Sequence, residues 1–181
     1  MLIAREKRIT NIAEFILYMW QVEDLIRASG FDIDEIEKNI ISRYRQPGEI
    51  LFEIRDWYSG LIQSMQEEGI EKKGHLGFVN SLMNDLTDLH IRLLNHPKEQ
   101  EYRILYNQAK PNIETLMGKA GSQAGSEIEA CLTGLYGFLL MRLQNKDIYE
   151  ETTAAISTFS SLLAFLSKRF LEIEKGEEEL P

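Results

Sequence analysis

Apolar residues recur at intervals of three and four along most of this chain, and the interruptions fall at residues that start or stop helices. The first such segment begins within residues 5–11 and runs to about Ser29. Asn11 followed by Glu14 fits a capping box, and Gly30 supplies the left-handed residue that ends a helix. The second has the firmest start in the chain, because Phe31, Asp32, Glu35 and Ile36 occupy N′, N-cap, N3 and N4, so a carboxylate cap and an apolar staple coincide. It continues through Ile40, Ile41 and Tyr44 and stops before Pro47 and Gly48. A third helix is predicted over about residues 49–68, with Ile50, Ile54, Trp57, Leu61 and Met65 on one stripe and Gly69 as terminator. A fourth runs from about His75 to Asn95, carrying Leu76, Val79, Met83, Leu86, His90 and Leu93.

The fifth segment opens with Pro97 at its first helical position, and its stripe of Tyr102, Leu105, Ala109, Ile113, Leu116 and Ala120 continues across Pro111. An unbroken stripe through a proline predicts one kinked helix rather than two. Gly118, Gly121 and Gly125 read as a flexible connection, after which Ser126 with Glu129 caps a sixth helix ending near Gln144. Asp147 with Glu150 is expected to cap the seventh, where Ile156, Phe159, Leu163, Leu166, Phe170 and Ile173 alternate strictly in threes and fours. No stretch shows the period-two alternation of a hairpin. The expectation is an all-α, single-domain bundle of six to seven helices over residues 1–171, with an acidic, frayed tail at 172–181. Short connections predict mostly antiparallel neighbours, with helices one, four, six and seven forming the core.

Composition narrows the function classes. Among 181 residues, 44% are hydrophobic and 27% charged, close to globular averages and far from a disordered or multi-span membrane chain. Twenty Lys and Arg against 29 Asp and Glu leave a net charge of −9, a poor start for neutralising phosphates, so no nucleic acid is expected as partner. The run from Phe15 to Trp20 is bracketed by Glu14 and Gln21 and is too short for a signal core. The stretch from Leu132 to Leu143 contains Thr133, two glycines and Arg142 and falls short of the ~20 residues a bilayer requires. With a single cysteine, Cys131, no intramolecular disulfide forms, and the expected compartment is the cytoplasm.

Known catalytic patterns are missing from the sequence. Lys72, Thr87 and Leu93 stand three residues before His75, His90 and His96, so the Glu-x-x-His pair of carboxylate-bridged metal bundles is absent. Asp85 and His90 point about 140° apart on an ideal helix and cannot meet on one ion with Asp88. His90 lies on the apolar stripe and reads as a hydrogen-bonded core histidine. Residues 69–75 have the outer spacing of a phosphate loop, yet His75 and Leu76 replace its Lys and Ser/Thr. Cys131 beside Leu132 reads as a packing residue. No catalytic residue, metal or cofactor is therefore assigned, and the chain leans away from being an enzyme.

One constellation stands apart. Glu14, Tyr18 and Gln21 lie along one line of the first helix with Trp20 adjacent. The third helix supplies Arg55, Asp56, Trp57 and Tyr58, and the fourth His75, Asn80 and His90. Rings that carry one polar group suit a ligand pocket or a partner interface; the plainer reading is that they pack and that the charges pair. On the sixth helix Ala130, Gly134, Gly137 and Met141 share a face, so another helix can approach closely there, from this chain or from a second copy.

The strings Asn11-Ile-Ala-Glu-Phe-Ile-Leu-Tyr-Met-Trp-Gln-Val-Glu-Asp-Leu-Ile-Arg27, Ile54-Arg-Asp-Trp-Tyr58, Lys73-Gly-His75 and Asp85-Leu-Thr-Asp-Leu-His90 resemble an uncharacterised bacterial family of the Bacteroidetes type, a domain of unknown function of about this length. The resemblance implies a cytoplasmic single-domain protein and carries no activity, cofactor or site residue with it. The leading expectation is a non-enzymatic helical module that meets a protein partner or a second copy as a homodimer. The alternative is a small-ligand-binding or enzymatic bundle with a polar–aromatic pocket between helices one, three and four. There Arg55 would hold an anion, His75 or Asp56 would move a proton, and Tyr18, Gln21 and Trp57 would complete the wall.

Overall fold

The computed structural model describes residues 2–121 and 125–177. The described residues form eight α-helices and one short 3-10 turn, with no strand. In chain order these are α1 (Leu2–Thr10), α2 (Ile12–Ala28), α3 (Ile33–Asn39), the 3-10 turn (Ile41–Arg43), α4 (Gly48–Glu67), α5 (Gly77–Asn95), α6 (Gln100–Ala120), α7 (Glu127–Leu143) and α8 (Glu150–Glu174). The count exceeds the expected six to seven because the first predicted helix is two. Asn11 stands non-helical between α1 and α2, so the capping residue read from the sequence begins a new helix instead of lying inside an old one.

Two helices, α3 and α7, start at the caps read from the sequence. The Asp32 carboxylate accepts the backbone N–H groups of Asp34 at 2.9 Å and Glu35 at 3.4 Å, and Ser126 Oγ accepts that of Glu129 at 3.1 Å. The second predicted helix stops earlier than expected, at Asn39, and tightens into the 3-10 turn that carries the buried Ile41. Pro97 is not the first helical residue of α6. It sits in a turn whose carbonyls, those of His96 and Pro97, are held by the Arg103 guanidinium, and α6 starts at Gln100. Nor does Asp147 cap α8, which begins at Glu150 with Tyr149 at the cap position and no side-chain cap bond. The chain first needs Asn145, at φ 51°, to close α7 through N–H bonds from Asn145 and Lys146 back to Arg142 and Met141. Helix α6 runs unbroken through Pro111, and Gly118 is helical rather than part of the connection. Ser122, Gln123 and Ala124 of that connection, and 178–181 of the predicted tail, lie outside the described residues.

Packing gathers into two compact units. The first comprises residues 2–8 and Glu14–Ser81, in which α3, the 3-10 turn and α4 pack together. Its buried side chains include Ile16, Met19, Trp20 and Ile26 of α2, Ile36 and Ile41, and Ile54, Tyr58 and Met65 of α4. The second comprises Ile9–Ala13 and the described residues from Leu82 onward, and its core is α6, α7 and α8. There the Asn112–Thr158 hydrogen bond and the Glu99–Arg169 ion pair progress in opposite senses along α6 and α8, which are antiparallel. Contacts from Tyr106 to Glu127 and from Leu116 to Gly134 advance together, so α6 and α7 run parallel. Two expectations change here. These successive helices are not antiparallel, and the fifth predicted helix, left out of the expected core, is central to this one.

Candidate functional site

In the first unit the geometry starts from α2. Met19, Glu23 and Ile26, at steps of four and three, are all buried, and Glu23 has 0% of its surface exposed. A carboxylate out of water needs partners. Glu23 Oε1 accepts the backbone N–H of Leu76 at 2.9 Å, and Oε2 lies 2.6 Å from His75 Nδ1. Because a carboxylate only accepts, Nδ1 carries the proton and Nε2 is the open nitrogen of the ring. Trp20 stacks on the imidazole, with centroids 4.4 Å apart and planes 15° from parallel, while Asn80 Nδ2 donates to the His75 carbonyl at 2.8 Å. Four residues beyond Glu23, Arg27 donates to the carbonyls of Ile70 and Gly74. Glu68 accepts the N–H of Gly77 at 2.7 Å. The segment leading into α5 is thus held by two α2 side chains of opposite charge, and the first N–H groups of α5 are satisfied by carboxylates.

The other candidate residues of this unit fall into separate local groups. Burial pushes the Tyr18 and Tyr58 phenols well up, with nearby phenols adding to it; Tyr44, raised by burial, shares a hydrogen bond with Tyr58. Trp57, half-buried, meets Tyr58 edge-on with centroids 5.0 Å apart. Arg55 pairs with Asp34 at 2.9 Å and with Glu37, and the hydrogen bond to Asp34 is the main reason its guanidinium is held above its usual range. Glu14 pairs with Lys7 at 2.7 Å, Asp56 is exposed and Gln21 half-buried. The structure therefore joins Trp20, His75 and Asn80 around Glu23, joins Tyr18 and Tyr58 with Tyr44, and turns Arg55 toward α3.

His90 belongs to the second unit and is 2% exposed. Its Nε2 faces Glu127 Oε2 at 3.0 Å and must donate, so Nδ1 accepts the Tyr102 hydroxyl proton at 2.6 Å. Tyr106 donates to Glu127 Oε1 at 2.9 Å. Burial holds the His90 imidazole below its usual range, opposed by the bond to Glu127. Burial likewise pushes the Cys131 thiol up to about 12, with Glu127 adding to it. This is a satisfied interior network in which both ring nitrogens are engaged. Among the described residues no group of three or more His, Cys, Asp or Glu side chains is placed to hold a metal.

Residue-type reasoning missed Glu23, Tyr44, Tyr102, Tyr106 and Glu127. Glu23 had a signal, a lone charge on the three-four stripe between Met19 and Ile26; the partners of His90 had none, since they come from other helices.

One of the open clefts of the second unit is a groove of about 460 Å³ among α6, α7 and α8, its walls formed by Leu116, Gly137, Phe138, Met141 and Ile156. Lys119 and Glu151 stand in its lining, and neither makes an ion pair among the described residues. Residues 130–141 of α7 carry no charge, yet only Cys131 and Leu132 of them are buried. Just beyond, Leu143 and Tyr149 are 66% and 78% exposed. The glycines of α7 divide by role. A Cβ on Gly134 would lie 2.9 Å from the Phe159 ring and 3.2 Å from Leu116, whereas one on Gly137 would meet nothing within 4 Å.

These features define an all-helical protein in which the buried Glu23 and His90 tie separate segments together and the second half of α7 lines an open groove. None of its described helices is long and apolar enough to cross a membrane. Within that class the chain belongs to a domain-of-unknown-function family, DUF4924, whose model matches residues 1–177. Neither the curated proteins nor the solved structures provide a match.

Proposed function

We propose that this protein is a cytoplasmic, non-enzymatic helical interaction module whose contact surface is the groove bordered by the second half of α7. One observation carries the reading. Helix α7, the most apolar of the long helices, leaves most of its uncharged run at residues 130–141 half-exposed, and a helix apolar nearly all round belongs under cover. The groove has the size and apolar character of a binding cleft, with few polar groups at its edge. The polar–aromatic pocket reading draws less support, because Arg55 is engaged by Asp34 and Glu37 while His75 is engaged by Glu23 and Trp20.

A photoreactive phenylalanine analogue tests this. Placed at Phe138, it is expected to give one discrete covalent adduct with a protein, whether this chain or another, and Gly137→Glu in the same chain should abolish it. The same analogue at Phe52, 65% exposed on α4, controls for mere exposure. Labelling at 138 no stronger than at 52 would end the proposal.

A further inference from the structure

We infer that His75 is a modification site, whose Nε2 accepts a phosphoryl group from an activated donor, an acyl phosphate or a phosphoramidate. The inference does not depend on the α7 groove. It starts from the ring. Glu23 keeps the proton on Nδ1, so the lone pair is on Nε2. That nitrogen makes no hydrogen bond among the described residues and reaches solvent, and 30% of the side chain is exposed. Trp20 covers one face of the imidazole and Asn80 fixes the His75 carbonyl, so the ring is held by its face, its Nδ1 edge and its backbone. The other two histidines lack this arrangement. His90 is buried with both nitrogens engaged, and His96 has its Nδ1 buried without a hydrogen-bond partner among the described residues.

A carboxylate bonded to one side of an imidazole makes the far nitrogen more basic and offsets the positive charge that develops when that nitrogen attacks. In the transfer the Nε2 lone pair forms the N–P bond while the bond from phosphorus to the leaving group breaks. The electron pair departs with that group, as a carboxylate from an acyl phosphate or as ammonia, protonated by solvent, from phosphoramidate. The Nδ1 proton stays in its bond to Glu23, which is fully buried, so water does not compete for it. The approach suits an anionic donor. Lys72 and Lys73 are exposed just before His75 and make no ion pair among the described residues; with Glu71 beside them, the exposed stretch 71–74 keeps one net positive charge. The Glu68 carboxylate is tied to the Gly77 N–H. A metal ion would need several ligands, and no group of three or more His, Cys, Asp or Glu among the described residues is placed to supply them. Covalent modification needs only this one nitrogen.

Treating the full chain with phosphoramidate at about pH 8, where imidazole lone pairs are free, tests the site. The expected product carries one phosphoryl group, on His75 and on Nε2, as peptide mass spectrometry and phosphorus NMR report, and it forms faster than any adduct at His96. His75→Gln should remove it and His96→Gln should not. Glu23→Gln keeps an acceptor for the Leu76 N–H, yet should slow the reaction about tenfold or more, because an amide can donate to Nδ1 and so select the wrong tautomer. Circular dichroism verifies that this variant is folded, and the attachment atom in the wild type tests the role of Glu23 without any substitution. A wild-type chain that takes up no phosphoryl group, that takes it up on Nδ1 or as fast at His96, or a folded Glu23→Gln variant that reacts at the wild-type rate would each overturn the inference.

Discussion

Glu23 shows how one residue decides what its neighbours do. Its carboxylate is sealed from water and bonded at both oxygens, so it orients the His75 ring and satisfies the Leu76 N–H that opens α5. Replacing it removes two charge-assisted bonds and leaves their donors facing an apolar gap. Glu23→Ala is expected to destabilise the protein by about 2–4 kcal/mol, given roughly 1.5–3 kcal/mol for a hydrogen bond to a charged group and a partial offset because His75 is 30% exposed and can turn to water. Glu23→Gln keeps one acceptor for Leu76 and should lose less than half as much. Chemical denaturation of the two variants measures the difference; equal losses would mean that the cap, not the charge, is unimportant. The candidate residues were recognisable by type, but their roles were not, because each role depends on a partner distant in sequence: Glu23 for His75, Asp34 for Arg55, Tyr44 for Tyr58.

At the scale of the element, α7 joins two behaviours in one helix. Its first half is anchored by Ile128, Cys131 and Leu132, and its second half lines an open groove. Gly134 and Gly137 looked equivalent as small residues on one face, yet only Gly134 is pressed by another helix. Gly137→Ala should stabilise the folded chain by up to about 1 kcal/mol, the helix-propensity difference between the two residues, because the added methyl meets nothing. Gly134→Ala should destabilise it despite the same propensity gain, because its Cβ would press into the Phe159 ring at 2.9 Å. Thermal or urea unfolding of the two variants tests the opposite signs. Local capping signals at Asp32 and Ser126 located their helices well, since such a cap involves only residues within one turn. Those at Pro97 and Asp147 did not, because the Arg103 grip on its turn and the Asn145 closure of α7 displaced the starts downstream.

For the whole molecule, the buried network around His90 links stability to pH. The folded state keeps this imidazole neutral below its usual range, near 6.5, while the unfolded chain takes up the proton at the ordinary value. The unfolded state therefore binds more protons as pH falls through that range, so this contribution to stability is intact above it and is lost progressively toward acid. Urea midpoints of the wild type should fall more steeply between pH 7 and pH 5 (roughly the ordinary histidine range) than those of His90→Gln, which has no proton to gain at this position. Parallel profiles would show that another group governs the acid side. The apolar rhythm of the chain, its caps and its acidic balance were enough to determine an all-helical protein, because helix formation answers to residues three and four apart. Tertiary structure alone decided that α6 and α7 run parallel, that Glu23 and His75 meet, and that Gly137 opens onto a groove while Gly134 does not. Each of these depends on which faces are brought together across long sequence separations, and periodicity within one helix carries no record of the surface that will cover it.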